Sequence, residues 1–210
     1  MQNNISTNAD GGGVDCDNAT LEDCDITGNT CEYYGGGVYA YNGTLVGCRV
    51  TENNARNGGG IYVSYGTNIL SCRISHNQSL YDGGGIHMSY SAQVRNCLVD
   101  NNTAGSSSYG YNGGGIYGNG SVVNTTIVRN ASDDDGAGVY GYDGTILTNC
   151  IVWGNEKNGE SNNVAGTPTV SYSAVEGGCV GDNIIVLNDK NPPLFANPSL
   201  TAGASDNTSN

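Results

Sequence analysis

Apolar and polar residues alternate in short bursts along this chain, each burst four to six residues long and ended by a Gly or Asn cluster. The stretch NGGGIYVSYG at 57–66 sets the pattern, and close variants of it recur. Aligned on their glycines, the copies begin at Gly11, Gly35, Gly58, Gly83 and Gly113, with a variant Gly136-Ala137-Gly138, so the period is 23 to 30 residues. Each triplet is followed by an aliphatic residue: Val14, Val38, Ile61, Ile86, Ile116, Val139. A second column follows 12 to 14 residues after the first glycine, at Cys24, Cys48, Cys72, Cys97, Thr125 and Cys150. Two residues on stand Ile26, Val50, Ile74, Val99, Ile127 and Val152, and three beyond these Asn29, Asn53, Asn77, Asn102, Asn130 and Asn155.

Residues two apart on an extended strand share a face, so the Cys and Ile/Val columns point the same way. The residues between them, Asp25, Arg49, Arg73, Leu98, Thr126 and Ile151, face outward and are mixed in character. The bursts are too short for helices and are rich in β-branched residues. Short strands and turns repeated every two dozen residues predict an all-β chain wound as a right-handed parallel β-helix of about seven coils. Coils stacked at roughly 4.8 Å give a rod on the order of 30 Å long, with like residues in ladders. Glycines meet the need for positive φ and close backbone approach at the turns, and stacked asparagine amides bond along the axis.

Composition narrows the function. A net charge of -13 with seven Lys and Arg in 210 residues leaves no cationic surface for nucleic acid. No apolar run reaches the length of a membrane span, and MQNNISTNAD is not a signal peptide, so a secreted protein is expected here in processed form. The expected setting is extracellular or at a cell surface. Coils occupy residues 1–178 in this reading, and 179–210 form an irregular segment packed on, or extending, the last coil.

The recurring GGG[IV] and [IV]xxN resemble the right-handed parallel β-helix repeats of bacterial surface and secreted proteins, in the pectate-lyase-like superfamily, including the polymorphic outer-membrane proteins. NCIVWGN at 149–155, VSYSAVEGG at 170–178 and PPLF at 192–195 are similar to the closing coils of secreted β-helix proteins. The resemblance implies the fold and leaves lyases, hydrolases, adhesins and structural rods open.

Candidate chemistry is sparse. The Cys column reads as small buried hydrophobes rather than bridges, because side chains in one parallel column do not converge. Cys16 and Cys31 share a coil and are placed to pair; Cys179 has no evident mate. Outward tyrosines follow the glycine turns at Tyr39, Tyr62, Tyr117 and Tyr140, with Asp15 and His87 in the same column. A second group comprises Tyr41, Tyr65, Tyr90 and Tyr142. These rings suit self-packing or contact between copies, with glycan binding as the rival. Asp15 reads as the lone acid on that face, too little for glycosidic cleavage, which generally needs paired carboxyls. Arg49 and Arg73 read as a solvated ladder, and Asp133, Asp134 and Asp135 as a solvated run rather than a calcium site. No motif implies a metal or cofactor. Sequons begin at Asn4, Asn18, Asn42, Asn77, Asn101, Asn119, Asn124, Asn130 and Asn207. Asn42 and Asn119, in expected turns, are the foremost glycosylation candidates, with Asn18 and Asn101 behind them. Loops 103–112 and 156–166 are further places for binding. With no capping helix visible, the expected function is a non-enzymatic structural or surface protein that stacks head to tail; a glycan-binding adhesin or a polysaccharide lyase or hydrolase is the alternative.

Overall fold

A computed structural model describes residues 1–105, 110–188 and 190–193. Among them there are strands and no helix, wound into a solenoid of about seven turns. None of it forms a helix long and apolar enough to cross a membrane. Asn207, residues 106–109 of the 103–112 loop, and Leu194 and Phe195 of PPLF lie outside the described residues.

Three sheets run along the axis. The glycine-flanked sheet takes the strands after each triplet, among them Val14–Asp17, Val38–Tyr41 and Ile61–Tyr65, together with a second row such as Thr44–Val46 and Asn68–Leu70. A second sheet follows the Cys column, with Asp25–Thr27, Arg49–Thr51, Arg73–Ser75, Leu98–Asp100, Thr126–Val128, Ile151–Trp153 and Ala174–Glu176. The third is a narrow sheet of two-residue strands such as Asn54–Ala55 and Gln78–Ser79. Pairing between coils is parallel and in register, Ile61 opposite Val38 and Ile86, and Ile74 opposite Val50 and Val99. One aliphatic from each row therefore stacks on its equivalents, and Ile26, Val50, Ile74, Val99, Ile127 and Val152 have no exposed surface. That continuous dry column is the main hydrophobic term.

Corners between sheets repeat a left-handed residue. Before the Cys column it is Asp23, Gly47, Ser71, Asn96, Asn124, Asn149 and Tyr172, with φ between 49° and 63°. The triplet 58–60 shows why glycine is needed. Gly58 has φ 63°, while a Cβ on Gly59 would lie 2.3 Å from the Gln78 carbonyl oxygen. Ala137 is the one triplet member carrying a Cβ there. It precedes the point where the narrow sheet stops stacking in parallel and turns back, Glu156–Lys157 pairing antiparallel with Glu160–Ser161.

Inside the corner after the second sheet runs the asparagine ladder. Asn53 donates from N and Nδ2 to Asn77 Oδ1 at 3.0 Å each, Asn77 does the same to Asn102 at 3.0 Å, and Asn102 to Asn130 at 2.9 and 3.0 Å. Each Nδ2 also reaches a carbonyl of the preceding coil, as Asn77 does to Val50 at 2.9 Å. These amides are buried and satisfied, which is what makes a polar column tolerable there.

Candidate functional site

The outward column of the glycine-flanked sheet reads Asp15, Tyr39, Tyr62, His87, Tyr117, Tyr140, Ala165 in register. Its rings stack on one another: Tyr39–Tyr62 centroids are 5.7 Å apart, Tyr62–His87 4.7 Å, His87–Tyr117 4.8 Å and Tyr117–Tyr140 5.6 Å. Tyr34 adds a ring 4.5 Å from Tyr62, and the Tyr62 hydroxyl shares a 2.6 Å hydrogen bond with Ser89. Ring faces in this column are occupied by neighbouring rings, so it works as packing. Burial holds the His87 imidazole down to a pKa of about 4, and its Nδ1 is buried without a partner.

The second tyrosine group is more open. Tyr41, Tyr65, Tyr90 and Tyr142 are all exposed, Tyr90 most of all at 64%. Tyr41 and Tyr65 stack at 5.9 Å, whereas Tyr142 meets Tyr117 and Tyr140 edge-on. The hydroxyls of Tyr117 and Tyr142 touch. This row is the part of the face that another molecule can reach.

The expectation that Asp15 is the lone acid beside the tyrosines is corrected by the turn ahead of the glycines. There, Asn57 Oδ1 accepts from Asp82 N at 3.3 Å, Asp82 Oδ1 from Asn112 N at 2.8 Å, and Asn112 Oδ1 from Asp135 N at 3.0 Å. Burial raises the Asp82 pKa, opposed by its bonds from Asn112 and from the Tyr117 hydroxyl. Asp10, whose pKa burial likewise raises, with a further push from the nearby Asp15, in turn adds to the rise that burial gives Tyr62. Asp82 and its column fasten one coil to the next. The sequence carries this signal as an Asp or Asn immediately before every glycine triplet but the one at Gly35, which Tyr34 precedes.

The Cys column proves to be more than a row of inert hydrophobes. Each side chain donates back to the carbonyl two residues earlier, across the left-handed corner: Cys72 to Leu70 at 3.2 Å, Cys97 to Arg95 at 3.2 Å, Cys150 to Thr148 at 3.4 Å. Thr125 and Ser173 make the same bond at 3.0 and 2.9 Å. Small size with one donor hydrogen is the shared requirement, which accounts for the Thr in the column. Cys24, in the first full coil, is only partly buried. All eight cysteines are free thiols, so Cys16 and Cys31 are not bridged, and burial raises the pKa of both.

The charged candidates are paired. Arg49 meets Asp25; Arg73 and Arg129 meet the fully buried Asp100 at 3.3 and 3.7 Å. The stacked arginines are thus held by carboxylates rather than simply solvated. Lys157 Nζ lies 2.6 Å from Asp134 and 3.1 Å from Asp135, placing an ammonium where a cation for that run would sit.

Of the glycosylation candidates, Asn42 and Asn18 occupy exposed left-handed corners, where Asn42 Nδ2 donates to Asn18 Oδ1 at 2.7 Å. Asn101 is also left-handed, but its Nδ2 is engaged by Asp100 at 2.8 Å. Asn119 was expected in a turn and instead lies within the strand Ile116–Val123, its Nδ2 donating to the Asp143 carbonyl at 2.7 Å. The coils from Gly83 and Gly113 each run through this place as one strand, Ile86–Arg95 and Ile116–Val123, where the others are split in two. Asn77 and Asn130 are buried in the ladder.

Compared with known proteins, residues 1–127 match the family model for a right handed beta helix region. No curated protein matches the chain.

Proposed function

The chain belongs to the right-handed beta-helix family, and from that premise we propose that it is a non-catalytic structural module of an extracellular or cell-surface setting that joins copies head to tail. The observation that carries this reading is that both ends of the rod expose apolar residues whose equivalents elsewhere are dry. At the leading end Val14, Leu21 and Cys24 are only partly buried, while Val38, Leu45 and Cys48 above them are at most 1% exposed. The strands Val14–Asp17 and Thr20–Glu22 each pair on one side only. At the trailing end a cavity of about 200 Å³ is lined by Val164, Ala165, Pro168, Val170, Cys179 and Val180, and Val180 is 95% exposed. Unpaired edges of this kind are templates for another strand. Because the narrow sheet ends in an antiparallel hairpin, the joint is confined to the other two sheets.

A second reading, glycan contact, is favoured by the exposed row Tyr41, Tyr65, Tyr90 and Tyr142, and the nearby acids direct it away from polyuronates. The main reading is tested by electron microscopy of the purified protein beside Leu21→Asp, which places a charge on the leading edge. Filaments that disappear in the variant support it; isolated short particles at every concentration of the unaltered protein overturn it.

A further inference from the structure

A groove with a polar wall lies away from the tyrosine face, beside the trailing end of the second sheet. It holds about 310 Å³, and its floor is the outward column Ile151, Ala174 and Ile185. Its wall is the corner column Asn124, Asn149 and Tyr172. That size is in the range of small-ligand sites.

Tyr172 breaks the corner's rule. The six equivalent positions before it hold Asp, Gly, Ser and three Asn, residues that accept a left-handed backbone; Tyr172 has φ 50°. A bulky aromatic in that region is strained by about 1–3 kcal/mol, a cost usually met at functional positions. Its backbone is held there, N–H donating to the Asp182 carbonyl at 2.9 Å, and its ring is 64% exposed at the lip of the groove.

The asparagines supply the polar half. Asn149 Nδ2 donates to Asn124 Oδ1 at 2.8 Å, and Asn124 Nδ2 to Asn96 Oδ1 at 3.2 Å. The ladder thus runs one way and leaves the Asn149 Oδ1, on an exposed residue, as its terminal acceptor. No charged side chain lines the groove. An aromatic ring and an aliphatic floor suit the C–H face of a pyranose, and an aligned amide suits its hydroxyls. With a net charge of -13 on the chain, an anionic ligand is opposed.

We propose that this groove binds a neutral saccharide, with Tyr172 stacking on a pyranose ring and Asn149 accepting a hydroxyl. It opens on the outward face of the second sheet rather than on its stacking edge, but Ile185 belongs to that sheet's last strand, so binding is measured on unjoined particles and the two proposals fail separately. The test is saturation-transfer NMR and titration calorimetry with neutral hexasaccharides of glucose, xylose and mannose, beside a galacturonate hexasaccharide. Tyr172→Gly is the informative variant, because glycine suits the positive φ and keeps the corner folded. The expected result is binding of at least one neutral probe, weakened tenfold or more in Tyr172→Gly with the thermal midpoint unchanged or raised. Failure of every neutral probe, binding indifferent to Tyr172→Gly, or equal binding of the galacturonate would each overturn the proposal.

Discussion

The middle coils and the trailing coil are built on the same columns, yet they differ at nearly every corner. In the middle coils triplet lies on triplet, asparagine on asparagine, and the second and third glycines of each triplet face a carbonyl one coil away. At the trailing end Ala137 replaces the middle glycine, Ser173 replaces the cysteine and Tyr172 replaces the small corner residue. The asparagine ladder there passes from Asn155 to Asn163 within eight residues, and Asn163 Nδ2 then donates to the Glu176 carboxylate at 2.9 Å. Periodicity specifies the fold, and its interruptions gather where the narrow sheet stops stacking in parallel.

Substitutions matched between the two regions break this contrast. The largest effect is expected at Gly59→Ala, where the new methyl meets backbone on the next coil; chemical denaturation should show a loss of at least about 3 kcal/mol. Ala137→Gly at the trailing end should cost only about 1 kcal/mol or less. Next comes the ladder. Asn77→Ala orphans the buried N–H of Asn53 and one of its two Nδ2 hydrogens, the other staying on the Ile26 carbonyl, for about 3 kcal/mol, whereas Asn163→Ala, whose rung to Asn155 N is longer at 3.3 Å, should cost about half as much.

Within the tyrosine column His87 is the odd ring. Its folded pKa is about 4 against an unfolded value of 6.5, so the unfolded chain takes up the proton first as pH falls. Stability is therefore unaffected by this group above pH 6.5 and declines from there to about pH 4, by roughly 3 kcal/mol. His87→Tyr, which copies the neighbours, should flatten that part of the pH profile; an unchanged profile would place the titration elsewhere. The smallest effect is expected at Cys97→Ser, within about 1 kcal/mol, since Thr125 and Ser173 already make the same bond.

Fold and columns were legible because a β-solenoid writes its geometry as exact spacing, and Ile74 or Asn77 has the same role as its equivalents a coil away. Roles fixed by where a side chain reaches were less so. The cysteines gave burial from their alternation, but their bond to the carbonyl two back depends on the left-handed corner between. The bond between Asp82 and Asn112 was not legible in the spacing, because the two stand 30 residues apart, across the longest coil. Asn119 was misplaced because two adjacent coils, Ile86–Arg95 and Ile116–Val123, run on as single strands where the others break. Tyr172 was hidden because the corner column could be followed by position only after the period itself had broken.

End-to-end joining is tested most directly by backbone hydrogen exchange at several protein concentrations. The account predicts that the amides of Val14–Asp17, Thr20–Glu22 and Val164–Gly166 slow as concentration rises, while those of Ile61–Tyr65 stay equally protected throughout. Edge amides that exchange at the same rate at every concentration would contradict it.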